Sequence, residues 1–439
     1  MVTIRGDLAI PAELDGVCLA ISDRDRTGGE FARFYPDIDS LPQTLTVEPG
    51  SASSAEARAR GYLGGVEVAR SWRTFDFGGG VDVALDLVRC PGGDRGTPEV
   101  AGMVATEAGA RMGVSVGRGG SLLVVVTVDA VAVYRASGSG LTAVGGAWPV
   151  PPALATPRAV VTFDADGDCD DDVLVLYADA APVLWLRDGV EGLVAADTAF
   201  EGAGLQAEVA AAAADVDGDG DLDLVFGRGG VLRLLRNDGA GRFQADGAAI
   251  QAGAASDVTA LAMGDIDGDG HVDLVVGQGD LAAAPNRVLL NDAAGTGSFE
   301  VAAAALPELP LQTRALALGD ANGDGFLDLV VGALGTHVRL YVNRGDGRLE
   351  DRSFVTLPGV ESMDVTSLAM GDWGGDCFAD IVIGGGGDPR SWRGSDSGVF
   401  ANDPIALAEG DQVMLVDVDD DGDRDLVIGG GVLTWVRRQ

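Results

Sequence analysis

The sequence predicts an all-β protein, a β-propeller of about eight four-stranded blades within a range of seven to nine, its ring closed by the N-terminal strand. Three observations predict it. An aspartate-rich loop of nine residues recurs about once every fifty residues, a short apolar strand follows each copy, and further apolar runs before and after complete about four strands per period. One four-stranded sheet per ~50 residues is the spacing of a propeller blade. A chain of 439 residues also exceeds one ordinary core, so it has to be several domains or one repeat architecture.

The loop comes in six copies, whose starts lie 51, 50, 55, 52 and 45 residues apart. Five copies carry an oxygen-bearing side chain at positions 1, 3, 5 and 9. They are Asp164, Asp166, Asp168 and Asp172; Asp215, Asp217, Asp219 and Asp223; Asp265, Asp267, Asp269 and Asp273; Asp320, Asn322, Asp324 and Asp328; and Asp417, Asp419, Asp421 and Asp425. The sixth keeps Asp372, Asp376 and Asp380 but has Gly374 at position 3, which leaves it a doubtful site.

Carboxylates crowded this closely repel one another unless a cation joins them. Calcium suits the set, because it takes six to eight oxygen ligands and tolerates irregular geometry. Gly218 and Gly268 at position 4, with Gly220 and Gly270 at position 6, permit the positive φ angles that a tight curl needs. By analogy with other acidic loops, position 7 donates its backbone carbonyl, so Asp221, His271, Phe326 and Asp423 are all tolerated there and His271 reads as a bystander. About five calcium ions are expected. An EF-hand is excluded, since its twelfth position needs a bidentate glutamate and here holds Phe226, Val276 or Val331.

The strands follow from the same repeats. LDLVFG at 222–227, VDLVVG at 272–277, LDLVVG at 327–332 and RDLVIG at 424–429 are short, β-branched and bounded by glycine, which marks buried strands. TALAMGD at 259–265, RALALGD at 314–320 and TSLAMGD at 366–372 supply the strand before each loop. VLRLLRNDGAGRF at 231–243 and HVRLYVNRGDGRL at 337–349 supply a third strand and the turn to a fourth.

These D-x-D-G-D-G-x-x-D-L-V-x-G repeats resemble the FG-GAP/VCBS repeats of the integrin alpha-subunit propeller, some fungal lectins and some polysaccharide-lyase-like proteins, over roughly residues 158–439. The resemblance implies calcium in the loops at the positions named above.

Upstream the pattern decays. VCLAISDRD at 17–25 matches TALAMGDID but lacks the later ligands, and SVGRGGSLLVVV at 115–126 keeps glycines and strand without carboxylates. Reading TFDFGGGVD at 74–82 as the turn after a third strand, because RSWR at 70–73 recurs at 390–393, gives blades starting near residues 17, 111, 158, 209, 259, 314, 366 and 411. Residues 1–439 are then a single propeller domain, with an insertion at 26–60 in the first blade, regular blades over 111–439 and calcium loops within 164–425. SASSAEARAR within the insertion suggests an exposed segment of helical character. The last blade lacks its fourth strand, and residues 2–14 are expected to complete it and close the ring, removing sheet edges.

Composition narrows the function. Net charge is −38, with 68 acidic residues against 30 basic ones and no lysine, which repels phosphate backbones and argues against nucleic-acid binding. No stretch approaches the ~20 apolar residues of a membrane span, and the amino terminus lacks a secretory pattern. Four scattered cysteines make neither a disulfide scaffold nor a zinc site. Two histidines in different blades offer no Ser-His-Asp or zinc arrangement, so no catalytic residue is assigned. Arg5-Gly6-Asp7 and Arg344-Gly345-Asp346 spell an adhesion tripeptide, but turn chemistry explains the second. Trp185 and Trp435 read as core in third strands, while the other tryptophans could stack on sugars.

The expected function is a non-enzymatic scaffold for a protein or glycan partner, in adhesion or assembly. The alternatives are a lectin or lyase-like carbohydrate-active protein, and a purely structural subunit of a larger complex. Loops of this type favour an extracellular, periplasmic or luminal setting, where calcium is plentiful.

Overall fold

The computed structural model describes residues 110–438 except for 116–120, 138–139, 150–154, 169, 189–191, 253–256, 293, 325, 360–361, 375–377, 396–397, 404–409, 420–423 and 431, together with strand backbones within residues 2–105. Seven four-stranded antiparallel sheets stand in a ring among these residues. Their first strands are Arg111–Ser115, Pro157–Phe163, Ala210–Ala214, Val258–Gly264, Thr313–Gly319, Val365–Gly371 and Gln412–Val416. Each packs on the first strand of the next sheet, and the seventh returns to the first. The blades begin within a residue or two of seven of the eight expected starts.

The eighth expected blade is corrected. Gly16–Asp23 is a strand, but an inner one of a separate four-stranded sheet with Phe31–Tyr35, Ser54–Leu63 and Val66–Asp76. A strand with neighbours on both sides carries the same apolar pattern in any sheet, so VCLAISD could not reveal which sheet it joins. Within the SASSAEARAR segment, the residues from Ser54 on are strand rather than helix, consistent with the period-2 pattern of SAEARARGYL, and RSWR at 70–73 lies in its hairpin partner. Residues 77–82 of the TFDFGGGVD segment lie outside the described residues.

Closure also differs from expectation. Val432–Arg438 does lack a fourth-strand neighbour from its own repeat, but the strand that completes the sheet is Pro98–Ala105, antiparallel to it. Val2–Gly6 instead pairs with Gln43–Leu45 and, in parallel, with Val83–Leu87. The reason is reach: residues 106–110 are five in number and span at most ~17 Å, which suffices only between adjacent blades.

Every second strand is buried on both faces because neighbouring blades cover it. Asp172–Tyr177, Asp273–Gln278, Asp328–Ala333 and Asp380–Gly385 are buried along their whole length. Their sequences are accordingly continuous apolar runs rather than alternating ones. The described core divides into seven clusters, each shared by two adjacent blades.

Close approach between blades explains the glycine that ends the D-L-V-x-G motif. A Cβ at Gly332 would lie 2.5 Å from Val365 Cγ1 of the next blade, and one at Gly227 would lie 2.5 Å from Val258 Cγ1. Blade two has Leu176 at this place, in a cluster shared with blade three. Gly332→Ala is therefore expected to destabilise the fold by about 1–3 kcal/mol through overpacking, measured as a lower urea midpoint at unchanged slope.

Candidate metal centre

In blades two to seven the first strand leads into the aspartate loop. In blades three and four the position-1 carboxylate organises the curl. Asp215 accepts hydrogen bonds from Gly218 N at 2.8 Å and Gly220 N at 3.0 Å, and Asp265 accepts from Gly268 N at 2.7 Å and Gly270 N at 2.9 Å. Those glycines have φ between +73° and +95°, conformations that an L side chain adopts only under strain.

Carboxylate oxygens converge in four loops. Asp164, Asp166 and Asp172; Asp215, Asp217 and Asp219; Asp265, Asp267 and Asp269; and Asp417, Asp419 and Asp425 each place one oxygen from every member within 4.8 Å of the others. These clusters can hold a metal ion. The donors fit a hard cation of calcium type: all are oxygens, several per site, on a curled backbone that can add a carbonyl.

The remaining expected ligands fall as follows. In blade five, Asn322 donates from its Nδ2 to Asp324 at 3.0 Å, and Asp320 binds the N–H of Gly323 at 2.6 Å. Asp168 accepts from Asp170 N at 2.9 Å and stands outside the convergent set of its loop. Asp421 and Asp376 lie outside the described residues, whereas Asp372 and Asp380 are described. The His271 ring lies over Gly295 and is not among the convergent groups.

Position 9 plays a part that the sequence reading assigned only to the ion. Asp172, Asp223, Asp273, Asp328, Asp380 and Asp425 are at most 2% exposed. One oxygen of Asp328 accepts Ala321 N at 2.9 Å from the loop, and the other accepts Asn343 N at 2.7 Å from the end of the third strand. Asp172 clips Ala165 to Arg187, Asp273 clips Ile266 to Asn291, and Asp380 clips Trp373 and Gly374 to Gly394 in the same way. The clip persists in blade six, where position 3 has lost its ligand.

A second set of residues escaped the sequence reading. Asn237, Asn291 and Asn343 end third strands, and each side-chain amide donates to a carbonyl in the loop of the preceding blade: Ala165 O at 2.8 Å, Val216 O at 2.9 Å and Ile266 O at 2.7 Å. The loops of blades two, three and four are thus each tied to the hairpin of the next blade. The asparagine of N-D-G and N-R-G was visible as turn chemistry, but its partner lies 72 to 77 residues away. The Arg344-Gly345-Asp346 tripeptide is part of such a turn, with Asn343 Oδ1 accepting Gly345 N at 3.0 Å.

Arg236 sets blade three apart from blades four and five, and Arg437, 3.8 Å from Asp419, holds the equivalent place in blade seven. The Arg236 guanidinium lies 2.7 Å from Asp223, 3.2 Å from Asp217 and 2.9 Å from Asp246. Leu290 and Val342 precede the equivalent asparagines in blades four and five, so those loops have no such cation on the third strand.

Burial dominates the electrostatics. It pushes the Asp172 carboxyl up to about 9 and Asp425 to about 8, with neighbouring carboxylates adding to both. Asp215, Asp273 and Asp328 rise to about 7 for the same reason, against the opposing backbone N–H bonds. Asp223 reaches only about 6, burial being countered by Asn237 N and by Arg236. In blade four no ion pair among the described residues reaches Asp265, Asp267, Asp269 or Asp273.

Comparison with known proteins finds the repeat itself in other chains. Residues 164–226, 215–276 and 320–383 match the FG-GAP-like repeat. Integrin alpha-7 of Rattus norvegicus is 36% identical over 139 aligned residues, which cover 26% of this chain and 12% of that protein. The chain therefore spans about an eighth of that relative's length. Among solved structures, BBS1N, determined in complex with ARL6DN, superposes with a TM-score of 0.50 at 14% identity, covering 79% of this chain and 97% of the other. An Agrocybe aegerita lectin described as recognising non-reducing terminal N-acetylglucosamine gives a TM-score of 0.48 at 19% identity over 67% of this chain and 79% of its own.

Proposed function

From a chain that carries FG-GAP-like repeats on a seven-bladed β-propeller, we propose a calcium-stapled, non-enzymatic scaffold that presents a rigid face to a protein or glycan partner. The observation that carries this reading is the convergence of carboxylate oxygens within 4.8 Å in four separate loops. A bound divalent cation would offset the mutual repulsion of these carboxylates. The residues do the rest. Positions 1, 3 and 5 present ligand oxygens, the position-9 aspartate holds loop to strand, and the asparagine of the next blade fixes the loop against its neighbour.

Calcium in the loops of blades two, three and four couples blades, because each of these three loops belongs to one blade and is anchored on the next. The ring then resists splaying, which suits adhesion or assembly. A calcium-rich compartment, extracellular, periplasmic or luminal, fits loops whose relatives bind at ~0.1–1 mM. Trp185, Trp373, Trp392 and Trp435 are buried, so these four offer no stacking platform for a sugar. That takes Trp373 and Trp392 out of the stacking candidates, while the side chains of Trp72 and Trp148 lie outside the described residues.

The loops are not expected to bind alike. Arg236 competes with a cation for Asp217 and Asp223, so Arg236→Met is expected to tighten calcium at blade three by about tenfold, equivalent to ~1.4 kcal/mol. Calorimetric titration against wild type checks this, and an unchanged set of affinities contradicts it. For the scaffold reading itself, surface-plasmon binding to immobilised glycans and extracellular-matrix proteins, run with calcium and with chelator, is the test. Calcium-dependent capture without turnover supports it; cleavage of a captured glycan overturns it.

A further inference from the structure

The end of the ring opposite the metal loops carries a second site. First strands run from this end toward the loops; in blade two, Pro157–Phe163 covers roughly 20 Å before Asp164 begins the loop. At their starting ends, residues from all seven blades enclose a cavity of about 440 Å³ on the ring axis. That volume lies within the ~300–1,000 Å³ of small-molecule sites.

Its lining is unlike the rest of the molecule. In a chain with 68 acidic residues and 30 basic ones, this cavity gathers Arg111, Arg158 and Arg314 against Asp280 and Asp411, a formal excess of one positive charge among the described residues. Arg314 is held in place: its guanidinium donates to Thr313 O at 2.9 Å and Asp280 O at 3.1 Å, and pairs with the Asp280 carboxylate at 3.3 Å. Arg111 Nε donates to the main-chain oxygen of Arg158 at 2.8 Å, so two arginines from adjacent blades start side by side. Among the described residues no hydrogen bond or ion pair engages the Arg158 guanidinium, although Asp411 lines the same space. Thr259 Oγ1, in the same lining, is buried without a hydrogen-bond partner.

Three arginines lining one cavity repel one another unless carboxylates or a bound anion join them. We propose that this cavity binds the carboxylate of a small hydroxylated organic acid, of the uronate class, with Arg158 as the principal counter-charge. A guanidinium offers planar, bidentate donation that matches a carboxylate. The single excess charge suits a monoanion better than a phosphate dianion, and Asp411 and Asp280 give acceptors for the acid's hydroxyl groups. Met112 and Val160 supply apolar surface beside them. This proposal stands apart from the calcium reading, since it uses neither the loops nor any of their residues.

The test is titration of glucuronate into the full chain in saturating calcium, followed by calorimetry or by chemical shifts, with glucose, inorganic phosphate and sulfate as comparison probes. Saturable millimolar binding of glucuronate is expected, absent for glucose, weaker for phosphate and sulfate, and weakened by raising NaCl from about 50 to about 500 mM. Arg158→Gln is expected to weaken it at least about tenfold, the loss of one charge-assisted pair, while calcium stoichiometry and melting temperature stay at wild-type values. Thr259→Val is expected to weaken it less. Lack of saturation by glucuronate, equal binding of glucose or of phosphate, or wild-type affinity in Arg158→Gln would each overturn the proposal. Loss of calcium binding in wild type would instead count against the scaffold reading and leave this site to be judged on its own titration.

Discussion

Stripping calcium with a chelator at neutral pH is expected to lower the melting temperature by on the order of 5–10 °C. At ~2 mM calcium and dissociation constants of ~0.1–1 mM, each site contributes about 1 kcal/mol by mass action, and about five sites act on one cooperative ring. The pH dependence gives the prediction a second signature. The clustered carboxyls of Asp172, Asp215, Asp223, Asp273, Asp328 and Asp425 have folded-state pKa values between about 6 and about 9, all above their ordinary 3.8. The metal-free fold therefore keeps protons that the unfolded chain has released, so stability present below pH 3.8 is lost as pH rises through 6 to 9. Repulsion among the net −38 charges acts in the same direction. Calcium replaces those protons, so its affinity increases over the same window and the gap between loaded and stripped melting temperatures widens with pH. A gap that narrows from pH 6 to pH 8 contradicts the assignment of these carboxylates to the ion.

Asp328→Ala is expected to cost about 2–6 kcal/mol, with calcium present or absent. The substitution orphans two buried backbone donors, Ala321 N and Asn343 N, and each unsatisfied group carries a penalty of ~1–3 kcal/mol. Asp324→Ala in the same loop is expected to behave differently. Its carboxylate is bound only by exposed groups of its own loop, so the stripped protein should melt like wild type and only the calcium-induced rise should shrink. Thermal melts of the two variants with and without chelator separate a structural clip from a ligand. Should Asp328→Ala melt like wild type in chelator, position 9 has no role apart from the ion.

The contrast between these residues marks what the sequence could and could not disclose. The loop spacing announces the blades, because an aspartate loop and a doubly buried strand must recur wherever a propeller sheet recurs. VCLAISD misled the count, since a strand flanked on both sides looks alike inside or outside the ring. Pro98–Ala105 was not recognised as the closing strand because nothing in PEVAGMVA names its partner, whereas its short tether to blade one does once the ring is known. In the loops, position 9 looked like one more ligand. Its burial, and its grip on a strand end 14 to 18 residues onward in blades three to five, depend on tertiary packing. Arg236 and the three inter-blade asparagines were hidden for the same reason: their partners come from other strands or from the neighbouring blade.

The most direct test of the calcium-stapled ring is a calorimetric calcium titration of chelator-stripped protein, with Asp267→Ala beside it. The account predicts about five bound ions in wild type and one fewer in Asp267→Ala, from the five loops that keep ligands at positions 1, 3, 5 and 9. No heat of binding, or the same stoichiometry in both proteins, would contradict it.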